Sequence, residues 1–153
     1  MIVLNREPRK KEYNALIDLC CEVCDEFQLV FRKDFADFAD YREILDKLSP
    51  SLKEMKEESE WATTILGDGQ TAYVYYYYAN EHTKNLLKEL SNSLYGWVHP
   101  NLLEDLSFFK NGKEWMVSSS HEEESYIFPE NEEEIESLKQ IKGLRWTIEE
   151  DDE

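Results

Sequence analysis

The sequence is poor in the residues that mark several common protein classes. Its 153 residues include five glycines, four prolines and three cysteines, so neither a flexible linker nor a secreted disulfide framework is expected. No apolar run approaches the roughly 20 residues that a membrane-spanning helix needs, and residues 1–11 lack the apolar core of a signal peptide. These absences favour a protein of the reducing cytoplasm.

Basic residues are also scarce. The chain carries 17 Lys and Arg against 34 Asp and Glu, a net charge of −17, and residues 102–153 alone carry −11. A field of this sign repels nucleic acid and anionic membranes and attracts basic molecules. We therefore expect a basic protein as partner, and neither nucleic acid nor membrane. For the charge itself, a solvated surface that keeps the protein soluble is the favoured explanation.

Helices are predicted from the spacing of apolar residues. The pattern favours helices over residues 12–27, 34–48 (including Phe35) and 80–95, with Asn80 as N-cap and Gly96 as a left-handed C-terminal cap. Pro50 predicts a further helical turn containing Leu52 and Met55. A short helix is expected after Pro129, ending near Gly143.

Strands are predicted where β-branched and aromatic residues cluster between turn signals. The predicted strands cover residues 28–32, 61–66, 71–79, 106–109, 114–119, 125–128 and 144–148. Residues 67–70 indicate one hairpin and Asn111-Gly112 a second. Hairpins require antiparallel pairing. The predicted fold is therefore α+β, a single domain over residues 1–148 with helices packed on one side of a mostly antiparallel sheet, followed by an acidic tail at 149–153.

Catalytic and metal-binding patterns are weak. Cys20, Cys21 and Cys24 lie within one helix and lack the second pair that tetrahedral zinc needs, so core packing is favoured. Residues 118–122 contain the residue types of a hydrolytic triad, but neighbouring strand residues point to opposite faces. We expect no metal and no cofactor, and a non-enzymatic protein is favoured over an enzyme.

The candidate binding residues fall in two places. Tyr76 and Tyr78 belong to a tyrosine-rich strand with phenols on both faces, and one face would join the core while the other packs under a helix or meets a partner, which would allow dimerisation through this strand. The remaining candidates lie in residues 97–122 and are Trp97, Glu104, Asp105, Trp115, His121 and Glu122. Glu104 and Asp105 fit acid–base chemistry or a turn, and the two tryptophans fit a pocket wall or core anchors.

The chain resembles a family of small uncharacterised proteins of spore-forming Gram-positive bacteria, closely over residues 94–128 and more loosely over the earlier strand pair and the N-terminal helix. The resemblance lies in Trp97, Pro100, Glu104, Asp105, Leu106 and Phe108, followed by Gly112, Trp115, Ser118, His121 and Glu122, with Leu103 where the family has a second proline. Some members are labelled stage III sporulation protein AH, a membrane-anchored component, and that label is not transferred because the sequence has no anchor. The resemblance implies no activity, ligand or active site.

Three functions remain open from the sequence. Leu102-x-Glu104-Asp105-Leu106-x-Phe108 with the downstream Asn-Gly also resembles immunity proteins of the SUKH superfamily, which neutralise toxins. The favoured hypothesis is a non-enzymatic interaction protein, an inhibitor, immunity-like protein or adaptor for a basic partner. The alternatives are a small-molecule pocket or enzyme site around Trp97, Trp115 and His121, and a module associated with sporulation or stress.

Overall fold

The computed structural model describes residues 1–34 and 37–150. Within these residues ten strands and four helices follow one another along the chain. They are β1 (Ile2–Leu4), α1 (Lys11–Val23), β2 (Glu26–Phe31), α2 (Phe38–Leu48), β3 (Leu52–Glu58), β4 (Glu60–Trp61), β5 (Thr64–Ile65), β6 (Ala72–Tyr78), α3 (Glu81–Leu90), β7 (Glu104–Lys110), β8 (Lys113–Ser119), β9 (Glu124–Ile127), α4 (Glu132–Lys139) and β10 (Trp146–Ile148). In this described part of the chain, every helix is too short or too polar to span a lipid bilayer.

Eight of the strands form one sheet in the order β10-β1-β9-β8-β7-β2-β6-β3, and its strand pairs are antiparallel. β4 and β5 form a separate two-stranded hairpin. The helices pack on one side of the large sheet, so the predicted α+β class is confirmed.

The main core lies between the sheet and the helices. Tyr13, Leu16, Ile17 and Cys20 of α1 are fully buried against it, and Leu87 of α3 completes this layer. Each large apolar side chain buried there contributes about 1.5–3 kcal/mol. The opposite face of the sheet, called here the outer face, has a smaller core in which Trp61 of the β4–β5 hairpin packs with Val30, Ala72 and Val74.

The first helix is shorter than predicted. α1 ends at Val23 and β2 begins at Glu26, so the helix predicted to Phe27 is wrong at its C-terminal end. The reason is tertiary, because Phe27 pairs with Tyr77 on one side and Phe108 on the other. Its ring lies 5.2 Å from the Tyr77 ring and 5.6 Å from the Phe108 ring, centroid to centroid.

The helical turn predicted after Pro50 is confined to Ser49–Ser51, and Leu52–Glu58 form strand β3. The predicted pairing of residues 61–66 with 71–79 is also wrong. β6 pairs with β2 and β3, whereas Glu60–Trp61 pair with Thr64–Ile65. The turn signals correctly identified the loop at residues 67–70. The tyrosine-rich strand β6 nevertheless pairs with two strands of the large sheet, β2 and β3, and not with the short segment before the loop.

The third helix begins as predicted and ends early. Asn80 caps it by accepting a hydrogen bond from the Thr83 backbone, but α3 stops at Leu90. Gly96 closes a separate 3₁₀ turn, Leu94–Gly96, and does not adopt the left-handed conformation. A side chain there would approach the Ser91 and Ser93 hydroxyls to 2.6 and 2.7 Å, so close packing accounts for this glycine.

Other local predictions are confirmed, including the short helix after Pro129 and the strands β8, β9 and β10. The Asn111-Gly112 turn joins β7 to β8, and both residues have the positive φ (51° and 81°) of a two-residue hairpin turn. β1 was not predicted. Phe35 and residues 151–153 of the predicted tail lie outside the described residues, whereas the Glu149 backbone N–H donates to the Met1 carbonyl at 2.8 Å.

Candidate functional site

Trp97 anchors the segment that the sequence singled out. It is fully buried, and its Nε1 donates to the Tyr13 hydroxyl at 2.8 Å, which in turn donates to the Leu87 carbonyl at 2.5 Å. The Trp97 carbonyl accepts from the Ser120 hydroxyl at 2.8 Å. Trp97 therefore ties α1, α3 and the end of β8 together, which is a structural role.

Asp105 lies at a bulge in β7, where the pairing with β2 shifts register and its own φ is 57°. The bulge changes the direction of the side chains at this point of the strand. Asp105 is buried, and its carboxylate accepts from Trp61 Nε1 and from the Ser120 backbone, both at 2.9 Å. The bond from Trp61 holds the β4–β5 hairpin on the outer face of the sheet, and the bond from Ser120 holds the end of β8.

The side chains of Glu104 and His121, two of the predicted site residues, are joined by a hydrogen bond. Glu104 is 1% exposed, and its Oε1 accepts from His121 Nε2 at 2.8 Å and from the His99 backbone at 3.3 Å. Its other oxygen, Oε2, is buried without a hydrogen-bond partner. A buried carboxylate thus holds an imidazole whose side chain is 48% exposed.

Tyr41 of α2 adds a phenol to this cluster, and sequence reasoning missed it. Its hydroxyl shares a hydrogen bond with His99 Nδ1 at 3.1 Å. Burial, and then the charge of Glu104, raises the pKa of Tyr41 to about 12. The only sequence signal was its place on the apolar face of the predicted second helix.

The serines beside His121 do not complete a triad with it. The Ser118 hydroxyl donates to the Leu106 carbonyl at 2.7 Å, and the Ser120 hydroxyl donates to the Trp97 carbonyl. Both hydroxyls therefore stabilise the fold near the end of β8, and His121 hydrogen-bonds to Glu104. A nucleophile activated by a neighbouring base is not assembled among these residues.

Trp115 anchors α4. It is 1% exposed, and its Nε1 donates to Glu134 Oε1 at 2.8 Å. Glu134 also accepts from the Glu130 backbone at 2.8 Å and pairs with Lys110. Burial alone would raise the pKa of Glu134, but the hydrogen bonds from Lys110, the Glu130 backbone and Trp115 outweigh it and lower the pKa.

The cysteines pack as small apolar residues. Cys20 and Cys24 are buried, Cys21 is half-buried, and all three are free thiols. Burial raises the pKa of each thiol, that of Cys21 to about 12, which keeps them protonated and unreactive. Across residues 1–34 and 37–150, no three His, Cys, Asp or Glu side chains are grouped to hold a metal ion.

The tyrosine-rich strand β6 lies inside the sheet. It pairs with β2 on one side and β3 on the other, so dimerisation by pairing along its edge is not available. Tyr75 and Tyr77 face the main core, whereas Tyr76 is half-buried on the outer face and Tyr78 is 49% exposed. Both candidate tyrosines therefore lie on the face that the helices leave uncovered.

The acidic residues of the C-terminal third divide into two sets. Glu104, Asp105 and Glu134 are buried and hydrogen-bonded within the fold. The other described acids of residues 102–150 are exposed, and Glu122 lies among them in the β8–β9 turn. They are Glu114, Glu122, Glu123, Glu124, Glu130, Glu132, Glu133, Glu136, Glu149 and Glu150.

Several exposed acids share one end of the sheet, where β2 and β8 begin and β9 and β10 end. Backbone hydrogen bonds from Asp25 to Phe109, from Phe128 to Trp115 and from Glu149 to Met1 align these segments. We call this set the acidic rim; its members are Asp25, Glu114, Glu130, Glu132, Glu133 and Glu149. Lys110 at this end is already paired with Glu130 and Glu134.

Four surface cavities of the described chain are lined by side chains other than Trp97, Trp115 and His121. Both tryptophans are packed within the main hydrophobic core, so they do not form the wall of a ligand pocket. Of the predicted site residues, the structure joins Glu104 to His121, places Asp105 and Trp97 around Ser120, and leaves Glu122 and Tyr78 at the surface.

Neither a protein-family model nor a curated protein matches the chain, and no solved structure matches it. The resemblance of residues 97–122 to the sporulation-associated family therefore stays a prediction.

Proposed function

We propose that the protein is a non-enzymatic interaction protein that binds a basic protein partner, as an inhibitor, immunity-like protein or adaptor. The observation that carries this proposal is the acidic rim, in which six exposed carboxylates from four segments lie at one end of the sheet and only Glu130 among them pairs with Lys110. Charges fixed on strand ends and a helix form a steady field, which steers a basic protein toward this surface.

The surroundings of the buried carboxylates, serines and thiols also support a role in binding a partner. The buried carboxylates and the serines of residues 97–122 are engaged in hydrogen bonds that hold the fold. The thiols are buried or half-buried, with raised pKa values. The exposed carboxylates are the groups left to meet a partner.

The acids at the start of α4 also have a local role. Glu132 and Glu133 lie in its first turn, where negative charge interacts favourably with the helix dipole. That role needs only one or two charges on this helix. It does not account for Asp25, Glu114 or Glu149, which belong to other segments.

The test is capture of the partner from host lysate by tagged protein. The wild type is compared with a rim variant, Glu132→Gln with Glu133→Gln and Glu149→Gln, and with a matched control, Glu22→Gln with Glu43→Gln and Glu89→Gln, on α1, α2 and α3. All six glutamates are exposed, so both variants lose three surface charges.

The proposal predicts one basic protein, captured in stoichiometric amount at low salt by the wild type and the control, and weakly by the rim variant. Raising the salt to about 0.5 M should release it, because surface charges are then screened within a few ångströms. Capture that is equal for all three proteins, or that is unaffected by salt, would contradict it.

A further inference from the structure

A groove lies on the outer face of the sheet, beneath the β4–β5 hairpin. Its volume is about 580 Å³, in the range of pockets that hold small ligands or single side chains. The hairpin forms one side of the groove, and residues of β2, β6, β7 and β8 form its floor. The lining residues that matter for its chemistry are Gln28, Trp61, Tyr76, Phe109 and Glu114.

Gln28 gives the groove an unused hydrogen-bond donor. It is 1% exposed, and its Nε2 is buried without a partner. A buried amide left unpaired costs stability, and most such groups in folded proteins are satisfied. The sequence signal for it is one polar residue within the otherwise apolar β2 run Phe27–Phe31, a position at which an apolar residue would pack more favourably.

The walls of the groove are aromatic. The Tyr76 and Phe109 rings lie 6.4 Å apart, centroid to centroid, at an angle of 59°. The Trp61 indole is fixed by its hydrogen bond to Asp105, so this wall is preorganised. Aromatic faces attract cations, and two of these rings already have one nearby: Lys56 Nζ is 5.8 Å from the Tyr76 ring and the Arg32 guanidinium is 5.7 Å from the Trp61 ring.

Acidic groups surround these aromatic walls. Glu60 and Glu114 line the groove, and Glu114 also belongs to the acidic rim. Burial raises the pKa of Glu114, which reflects the apolar surroundings of its carboxyl group. Burial, and then the charges of Glu58, Glu54 and Glu26, raises the pKa of Tyr76, so further carboxylates act on this floor.

We infer that this groove receives an arginine side chain of the basic partner. The guanidinium stacks against Tyr76 and Phe109 and pairs with the Glu114 carboxylate, while Gln28 Nε2 donates to a main-chain carbonyl of the partner. Arginine suits the site better than lysine because its planar group both stacks on rings and hydrogen-bonds to a carboxylate. The inference names the subsite of the proposed function and rests on it.

The test uses the peptide acetyl-Gly-Arg-Gly-amide and, as a neutral isostere, acetyl-Gly-citrulline-Gly-amide. Each is titrated to millimolar concentration into ¹⁵N-labelled protein, and the signals of the Gln28 side-chain amide and the Trp61 indole are followed by NMR. The arginine peptide should shift both signals and bind at least about fivefold more tightly than the citrulline peptide, since its guanidinium alone carries a positive charge and can form an ion pair with the Glu114 carboxylate.

Three variants locate the binding. Glu114→Gln should weaken the arginine peptide about fivefold to tenfold, whereas Glu132→Gln, which removes another exposed rim charge outside the groove, should change its affinity less than twofold. Gln28→Leu should fold at least as stably as the wild type, because it removes an unpaired buried amide, and should bind the peptide more weakly. Equal binding of both peptides, equal effects of Glu114→Gln and Glu132→Gln, or no shift at Gln28 and Trp61 would overturn the inference.

The groove and the proposed function can fail separately. If a partner is captured in a salt-dependent manner and binds Glu114→Gln and Gln28→Leu as tightly as the wild type, the groove is refuted as the arginine site and the proposed function is still supported. If the arginine peptide binds specifically but the wild type captures no basic protein, the groove is supported as a binding site and the proposed function is refuted.

Discussion

His121 Nε2 lies 2.8 Å from Glu104 Oε1, so a half-exposed imidazole is held by a carboxylate that is 1% exposed. The bond links the end of β8 to the start of β7 across the bulge at Asp105. A buried carboxylate needs such partners, because its desolvation is otherwise uncompensated. The pair thus explains structurally why Glu104 and His121 occur in the same segment.

Removing this imidazole should destabilise the fold. His121→Ala leaves Glu104 with only the His99 backbone donor among the contacts described, and we expect the free energy of unfolding to fall by about 1.5–3 kcal/mol. The neighbouring exposed residue gives the control, and Glu122→Ala should change it by less than about 0.5 kcal/mol. Urea unfolding of both variants measures the difference, and equal small effects would show that the pair contributes nothing.

Substitutions of Asp105 should lower the free energy of unfolding, and by an amount that depends on the new side chain. Asp105→Ala removes the acceptor for Trp61 Nε1 and for the Ser120 backbone, and it places a β-carbon without a polar side chain at φ 57°. We expect a loss of about 2–4 kcal/mol. Asp105→Asn tolerates this backbone and keeps one acceptor oxygen, so it should lose roughly half as much. Equal losses in urea unfolding would refute this assignment of the two bonds.

The hairpin between β7 and β8 depends on Gly112. Its φ is 81° and no atom lies within 4 Å of where a β-carbon would be, so backbone conformation alone is at issue. Gly112→Ala should cost about 1 kcal/mol. Gly67 has equally open surroundings without a positive φ, so Gly67→Ala should be neutral or slightly stabilising. Thermal unfolding of the two variants provides the comparison, and a Gly67→Ala loss as large would contradict it.

These local features are also the ones that the sequence predicts. The Asn111-Gly112 turn, the Asn80 cap and the Pro50 break depend on residues adjacent in the chain, and all three are present. Phe27, Leu52 and Met55 were predicted to be helical, because apolar spacing allows it for Phe27 and Pro50 suits the start of a helical turn. They form strands because β6 and β7 offer pairing partners that are distant in the sequence.

For the candidate site, the sequence predicted several of the residues but not the contacts between them. Trp97, Trp115, Glu104 and His121 were identified from the sequence, but the contact of Glu104 with His121 depends on how β7 and β8 pair. Tyr41 was missed because it fits the apolar face of its predicted helix, and Gln28 because a single polar residue in an apolar strand does not show what surrounds it until the fold is known. The acidic rim depends on strand register and could not be derived from composition.

The acid stability of the fold should depend on Glu134. Its pKa in the folded state lies below its ordinary value of 4.5, so the carboxylate stabilises the fold above that pH, and this contribution is lost as the pH falls through the folded pKa. Glu134→Gln should therefore lose less stability than the wild type between about pH 5 and pH 3. Glu136→Gln, at an exposed residue of the same helix, should follow the wild type. Urea unfolding over this pH range tests the point, and parallel curves for the wild type and Glu134→Gln would contradict it.

The central claim is that the acidic rim is a binding surface. The most direct measurement is the dissociation constant of the purified partner for the wild type, the rim variant and the three-charge control variant, over 50 to 500 mM salt. The account predicts that the rim variant binds at least about tenfold more weakly at low salt and that its affinity depends less steeply on salt, while the control follows the wild type. If the rim variant and the control bind alike at every salt concentration, the rim is only a solvated surface and the claim is wrong.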